Sequence, residues 1–311
     1  MLRFNPAAKI CRKAYRILFI SGFLVCLMAR LQSQELYIFT EPASNMPARS
    51  LGVRLNNDFY SMVHDGRYTY RLNPEVMWGL NKNIMLHLNG YASNMYEQGF
   101  KLEGGSVYMK YRFYSHDDVH SHFRMAAYGK VALVDNPAVL TVTHTHQVND
   151  NGQITEHTEN LVYLADEISL NGNQSGFLTG VIATQLLHKL ALSGSFDYVN
   201  RWDNLNAKKS PYQSDHGLDY SLSAGYLLLP KVYKDFRQTN FNLYCEFLGS
   251  TSLDSHTWYL DVAPAVQFIF NSVSRLDLGY RTQIAGQMTR MSKSSFLVRY
   301  EYNFLNIFNK K

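Results

Sequence analysis

The sequence predicts an all-β protein: a transmembrane, antiparallel up-and-down β-barrel of about 12 strands, preceded by a cleaved signal peptide. Three observations predict this fold. The N-terminus resembles an export signal, apolar and polar residues alternate with a period of two, and the alternating segments run for about 10 to 15 residues. Strands of soluble proteins are usually about 5 to 6 residues long, whereas tilted membrane-spanning strands need at least about 9 to 11.

Residues 1–34 have the composition of a secretory signal peptide. They contain six Lys and Arg residues and no acidic residue, and a run of 13 mostly apolar residues occupies 17–29. A membrane-spanning helix needs roughly 20 residues, so cleavage near Ser33 or Gln34 is favoured over an uncleaved anchor. The remaining chain has 24 basic and 25 acidic residues, and this balance argues against nucleic-acid binding.

The mature chain is predicted to begin with an extended periplasmic lead-in, residues 35–47, for which a small plug role is the alternative. The barrel then occupies 48–311. Its alternation is clearest in the last segment, where apolar or aromatic residues stand at every second position from Phe296 to Phe304. Similar patterns predict twelve strands near 48–61, 67–79, 83–95, 104–115, 121–134, 174–187, 189–202, 217–229, 239–252, 257–270, 274–288 and 294–305.

The connections between these strands are typical of outer-membrane barrels, which have short periplasmic turns and longer outer loops. With the N-terminus inside, the longest connection, 135–173, falls on the outer side. Alternation does not reveal which face of the sheet points outward. The export signal, the Tyr and Phe residues at strand ends and the aromatic last strand favour a barrel in lipid.

If the aromatic face meets lipid, the other face lines the lumen. One interpretation is a narrow pore whose charged rings select polar or ionic solutes. The alternative is a filled interior in which Arg and carboxylate side chains pair. The predicted lumen residues are Arg54, Asp58, Arg71, Glu75, Lys110, Arg112, Arg124, Asp197, Arg201, Asp219, Glu246, Asp261, Arg275, Asp277, Arg281, Arg299 and Glu301.

The loop 135–173 contains a candidate metal site. His144 and His146 lie on one side of an extended segment, a spacing that binds Zn²⁺ or Cu²⁺ if the loop brings His157 or a carboxylate to them. Weak adventitious binding is the alternative, because no HxxxH or CxxC pair accompanies these residues. No other cofactor is expected.

Two stretches resemble a family of outer-membrane β-barrel proteins of Gram-negative bacteria. They are LYIFTEPASNMPARSLGVRL, residues 36–55, and GVIATQLLHKLALSGS, residues 180–195. The family is transporter-like and its members are mostly uncharacterised, so the resemblance implies the fold and the outer membrane but no substrate. In such proteins the loop corresponding to about 135–172 is often rich in His and acidic residues, which implies contact with metal ions or metal-handling proteins.

The resulting hypothesis is a passive, substrate-restricted channel for small polar or charged solutes. The alternative is a non-conducting barrel whose loop 135–173 binds a metal or a partner protein. An enzyme is not expected, because no nucleophile and base stand at a recognisable spacing. The expected partners are outer-membrane lipid, the barrel-insertion machinery through the C-terminal strand, and a small polar or ionic solute.

Overall fold

The computed structural model describes residues 37–96, 99–119, 121–150, 153–232, 235, 237–305 and 307–308. For 142–150 and 153–161 the description covers the backbone alone. The predicted signal peptide lies outside the described residues. Within the described ranges, no helix has both the length and the apolar character needed to cross a membrane.

Fourteen strands are present in the described chain, and twelve of them form one closed antiparallel barrel. The predicted fold class is therefore confirmed, and the ends of the twelve predicted strands agree with the structure to within three residues. The strands are β1 (Ser50–Met62), β2 (Tyr68–Gly79), β3 (Ile84–Ser93), β4 (Lys101–Asp117), β5 (Ser121–Val134), β6 (Leu140–Asp150), β7 (Gln153–Tyr163), β8 (Gly176–Leu187), β9 (Leu190–Arg201), β10 (His216–Leu229), β11 (Asn240–Ser252), β12 (Trp258–Phe270), β13 (Ser274–Gly286) and β14 (Ser292–Phe304).

The topology is up-and-down, because each barrel strand pairs with its neighbours along the chain. Pairing of β1 with β14, from Leu51 opposite Phe304 to Phe59 opposite Phe296, closes the cylinder. We name the end with the short connections, such as 188–189 and 271–273, the turn end, and the opposite end the loop end. A closed sheet leaves no strand edge unpaired, which is the condition for a β-structure in lipid.

The long connection between β5 and β8 contains a hairpin that the strand prediction does not include. Strands β6 and β7 pair with each other in a separate two-stranded sheet. The sequence signal is present but weak: residues 140–148 are rich in β-branched types, and the turn residues Asn-Asp-Asn-Gly follow at 149–152. The many polar residues on both faces of this segment conceal the pattern of a half-buried strand.

The structure also shows which face of the sheet points outward. In β14, Phe296, Tyr300 and Phe304 are exposed on the outer surface, whereas Glu301 is buried. The same arrangement recurs around the barrel, and the exposed outer residues include Val53, Leu55, Val107, Met109, Val131, Val181, Phe196, Leu222, Leu243, Phe247 and Tyr280. A soluble barrel shows the reverse arrangement, since water favours charges outside.

The hairpin is expected to be dispensable for folding, because β6 and β7 pair with each other and not with the barrel strands. Replacing 142–161 by a short Gly-Ser linker should leave the heat-modifiable migration of the folded barrel in detergent gels unchanged. Both flanks that pack on the barrel, including Leu140 and Tyr163, are retained in this variant. Loss of heat modifiability would show that the hairpin is part of the folding unit.

Candidate functional site

The predicted lumen residues stand at inward-facing positions of the barrel strands, and all but one of them lie within the barrel. Twelve of them are buried, namely Arg54, Arg71, Glu75, Lys110, Arg124, Asp197, Arg201, Glu246, Asp261, Arg275, Asp277 and Glu301. Asp58, Asp219, Arg281 and Arg299 are partly exposed to an internal cavity. Arg112 instead lies at the turn end, where it donates to the Lys82 carbonyl oxygen at 2.6 Å in an exposed position.

Buried ion pairs fill much of the interior between β1, β2, β13 and β14. Arg54 Nε lies 2.8 Å from Glu301 Oε2, and its Nη1 lies 3.0 Å from Glu75 Oε2. Arg275 Nη2 lies 2.6 Å from Glu301 Oε2, and His87 Nδ1 contacts Glu75. A buried charge is tolerated when paired and hydrogen-bonded, so this part of the interior matches the filled-barrel alternative.

The lead-in, of which the structure describes 37–47, lies inside the barrel. The buried carboxylate of Glu246 accepts backbone N–H groups from Ile38 at 2.8 Å, Phe39 at 2.9 Å and Thr40 at 3.0 Å, and the Thr40 hydroxyl at 2.7 Å. Thr40 Oγ1 also lies 3.0 Å from Ser223 Oγ. Three consecutive N–H groups bound to one carboxylate fix the direction of the segment as well as its position.

The rest of the lead-in is held from the opposite wall. Lys110, fully buried on β4, donates from Nζ to the carbonyl oxygens of Pro42 at 2.6 Å and Ser44 at 2.8 Å. The segment leaves the barrel along Gly79, where a Cβ atom would come within 2.2 Å of the Pro47 carbonyl oxygen. Only glycine permits this approach without a shift of the backbone.

This position differs from an extended periplasmic lead-in and corresponds to the alternative, a small plug role. Alternation does not reveal it, because the segment is neither a strand nor a helix. One signal is present in the sequence: Glu246 points inward, yet Ser223 and Ala263, which lie opposite it on β10 and β12, carry no charge. A buried carboxylate without a cross-strand base needs donors from elsewhere in the chain, and the lead-in supplies them.

A second segment crosses the barrel at the loop end. We call residues 165–175 the strap. Arg71 of β2 binds the Glu103 carboxylate with two N–H groups, at 2.9 and 3.0 Å, and also donates to the strap at Asn173 Oδ1 at 2.7 Å. In the connection before β14, Arg290 Nη2 lies 3.0 Å from Glu167 Oε1. The strap is thus tied to the barrel at two places, and none of its side chains was among the predicted lumen residues.

Asp166 fixes the start of the strap to the neighbouring loops. It accepts hydrogen bonds from the hydroxyls of Ser214, Ser255 and Thr257 and from the Ser214 backbone N–H at 3.2 Å. Partial burial acts to raise the pKa of Asp166, but these hydrogen bonds outweigh it and lower the pKa below the ordinary value. The contact is therefore at full strength above the ordinary Asp pKa and weakens as the pH falls through the lowered one.

A cavity of about 350 Å³ lies in the lumen between the lead-in and the strap. Glu41 of the lead-in and Glu167 of the strap both line it. Six predicted lumen residues contribute to its wall, namely Asp58, Glu75, Asp197, Asp219, Arg281 and Arg299. The wall on β9 and β10 carries the small residues Ser195 and Ser221, whose hydroxyls lie 2.6 Å apart, and small side chains there leave the space open.

The candidate metal ligands fall in the hairpin. In the backbone register His146 lies opposite His157, and His144 lies opposite Glu159. The side chains of these residues lie outside the described part of the structure. Among the side chains that are described, no group of three or more His, Cys, Asp and Glu residues could hold a metal ion. The metal site remains a prediction.

Comparison with known proteins gives likenesses in structure alone, since no protein-family model and no curated protein sequence matches the chain. An outer-membrane channel from Pseudomonas putida F1 is similar with a TM-score of 0.52 and 10% identity, over 86% of this chain and 100% of that one. The NanC porin gives a TM-score of 0.45 at 10% identity, over 81% of this chain and 98% of its own. At 10% identity, the first likeness shows a shared barrel fold.

Removal of the Glu246 carboxylate is expected to loosen the lead-in. Ile38 is fully buried when the lead-in is seated, so a cysteine introduced there reports on its withdrawal. In mature protein carrying Ile38→Cys and Cys245→Ser, Glu246→Ala should raise the rate at which a charged thiol reagent labels the introduced cysteine at least about tenfold. A stabilisation of only about 1.4 kcal/mol accounts for that factor.

The matched control is Glu103→Ala, which removes an equally buried carboxylate that contacts Arg71 and Ser93. Labelling in this control should stay at the rate of the parent protein. Equal rates in the two Glu variants would mean that Glu246 does not hold the lead-in.

Proposed function

We propose that this protein is an outer-membrane β-barrel of a Gram-negative bacterium that acts as a passive, substrate-restricted channel for small polar or charged solutes. In this conformation the channel is closed by the lead-in and the strap. The observation that carries the proposal is the cavity of about 350 Å³ inside the closed barrel. The lead-in and the strap enclose this cavity, and both are attached to the wall by non-covalent contacts.

The outer surface supports a location in a membrane. Barrel strands of about 13 residues, with a rise of about 3.3 Å per residue and a tilt of about 45°, span roughly 30 Å, which is the thickness of the hydrocarbon layer. Apolar and aromatic side chains cover this surface. Lipid is accordingly the expected surroundings of the barrel, and the last strand, β14 ending at Phe304, is the part that we expect the barrel-insertion machinery to recognise.

The lead-in is suited to serve as the gate. Cleavage near Gln34 would leave a free amino terminus a few residues before Tyr37, so the segment would be tethered at one end only. Withdrawal of such a segment requires no change in strand pairing. Water that enters the lumen can then replace the hydrogen bonds of Glu246 and Lys110.

A disulfide between the lead-in and the wall is expected to lock the channel closed. Thr40 Oγ1 and Ser223 Oγ lie 3.0 Å apart, so Thr40→Cys with Ser223→Cys, in a Cys245→Ser background, places two sulfurs within bonding reach. The oxidised protein should show no steady conductance in a planar bilayer. The reduced protein should show channel openings like those of the parent.

The two single-cysteine variants are the controls and should not respond to the oxidant. Conductance that is the same before and after oxidation would show that the lead-in is not the gate. Silence of every form, in barrels shown to be folded by heat modifiability, would overturn the channel hypothesis.

The second candidate is a non-conducting barrel whose hairpin binds a metal or a partner protein. It is favoured by the separate sheet that β6 and β7 form beyond the barrel. Under this hypothesis a calorimetric titration with Zn²⁺ should show binding that is lost in the triple variant His144→Ala, His146→Ala, His157→Ala.

The matched control replaces His116 and His122, the pair of histidines near the turn end, by Ala. This variant should bind Zn²⁺ as the parent protein does. If the triple variant also binds like the parent, the hairpin histidines are not metal ligands.

A further inference from the structure

We propose that the cavity binds a small organic cation through the paired carboxylates of Asp197 and Asp219. This inference deepens the proposed function, because it names the class of solute that the cavity of the channel would accept. It rests on the register of two strands, on the absence of a base beside the two acids in the described chain, and on the shape and chemistry of the space next to them.

The two acids are neighbours by the register of the sheet. Asp197 of β9 and Asp219 of β10 are directly opposite each other, and both line the cavity. Residues in this relation have Cβ atoms about 4.5 to 5.5 Å apart. Two like charges at this distance repel each other, so the pair is stabilised by a shared proton or by a cation placed between them.

Other acids of the interior have their own cationic partners. Asp261 Oδ2 lies 2.6 Å from Arg281 Nε, and Glu301 Oε2 lies 2.6 Å from Arg275 Nη2. In the part of the chain that the structure describes, no Lys, Arg or His nitrogen forms an ion pair within 4.0 Å of Asp197 or Asp219. Asp197 and Asp219 differ from these acids in having no such partner among the described residues.

The bases that face the cavity are already engaged with other groups. Lys130 Nζ donates to Asn171 Oδ1 at 2.5 Å. Arg299 Nε donates to Asn56 Oδ1 at 2.5 Å, and Arg281 is bound to Asp261 as described above. Each of these bases thus has a hydrogen-bond partner away from the acidic pair.

One carboxylate oxygen of the pair is without a hydrogen-bond partner among the described residues. Asp197 is 8% exposed, and its Oδ2 accepts a hydrogen bond from the Tyr128 hydroxyl at 2.5 Å. Its Oδ1 is buried and accepts no such bond. A buried carboxylate oxygen without a hydrogen-bond donor lowers the free energy of unfolding, and an ammonium donor would satisfy it.

A glycine in the neighbouring strand permits the contact between Tyr128 and Asp197. Gly180 of β8 lies between Tyr128 and Asp197 in the register, and a Cβ atom at Gly180 would come within 2.3 Å of Asp197 Cβ. The glycine therefore lets the Tyr128 side chain pass over β8 to reach the carboxylate. Tyr128 thereby holds one oxygen of the Asp197 carboxylate in place.

The rest of the cavity favours an organic cation over a bare metal ion. The described side chains offer no group of three acidic, His or Cys residues for a metal, and about 350 Å³ is much more than one ion fills. The wall near the pair also contains the ring of Tyr108 and the apolar side chains of Ile168 and Val199. An ammonium group bound between the carboxylates would direct an alkyl or aromatic body onto these surfaces.

Calorimetric titration of the folded mature protein in detergent tests the inference with three matched probes: n-butylamine, 1-butanol and butyrate. They have nearly the same size and differ in charge. We expect the amine to bind at least about tenfold more tightly than the alcohol and the acid, a factor that corresponds to about 1.4 kcal/mol. Equal binding of amine and butyrate would overturn the inference, as would binding of none of the probes.

Variants of the pair give the second measurement. Asp197→Asn with Asp219→Asn should weaken amine binding at least about tenfold, whereas Asp118→Asn, an exposed acid of a turn, should leave it unchanged. Amine binding that is the same in the double variant and the parent would overturn the proposal. The comparison of the three probes on the parent protein remains decisive if the double variant does not fold.

The outcome is independent of the conductance experiment. Amine binding to a barrel that never conducts would support the cation site while removing the channel hypothesis. A conducting barrel that binds the three probes alike would retain the channel hypothesis and remove the cation site.

Discussion

The closed hydrogen-bonded sheet is the constraint on which the other features of the structure depend. Because every second side chain of each barrel strand points inward, closing the cylinder fixes the side on which the residues of the twelve barrel strands lie. The apolar set then covers the outside, and the charged set has to be accommodated within. The interior can satisfy those charges by pairing them with one another, by pairing them with inserted backbone, or by leaving them to a solute.

All three solutions occur in this barrel, and they occupy different regions. Arginine and carboxylate side chains pair directly around Arg54 and Arg275. At Glu246 and Lys110 the partners are backbone groups of the lead-in. At Asp197, beside small serine side chains, neither solution is used and a cavity remains. The division between filled and open space thus follows the distribution of charge and side-chain volume along the inner face.

The strands can be predicted well because the information that specifies them is local. Twelve long alternating segments give the strand boundaries, and the need to pair every backbone group in lipid predicts the closure. Local sequence does not specify which face of the sheet points outward. Phe296 and Glu301 alternate in the same way whether the barrel lies in lipid or in water. The predicted export signal and the aromatic residues at the strand ends favour the arrangement in lipid, and the exposure of Phe296 agrees with it.

The inserted segments could not be predicted in the same way. The hydrogen bonds of Ile38 to Glu246, and of Arg71 to Asn173, join residues that are 208 and 102 positions apart, and no periodic pattern connects them. Inward residues could be identified from alternation, but their partners could not. For this reason alternation alone leaves an equal choice between an open pore and a filled interior, whereas the structure shows a filled region, two inserted segments and a cavity.

The position of the cavity relates the proposed gate to the proposed solute. Glu41 of the lead-in and Glu167 of the strap line the same cavity as Asp197, so an occupant lies close to both closing segments. Each hydrogen bond from the lead-in to the Glu246 carboxylate contributes roughly 1.5 to 3 kcal/mol. The closed form is therefore favoured without being covalently fixed. A solute that binds more strongly when the lead-in is withdrawn would shift the barrel toward the open form by its difference in affinity for the two forms. Recognition in the cavity and opening of the channel would then be two consequences of one binding event.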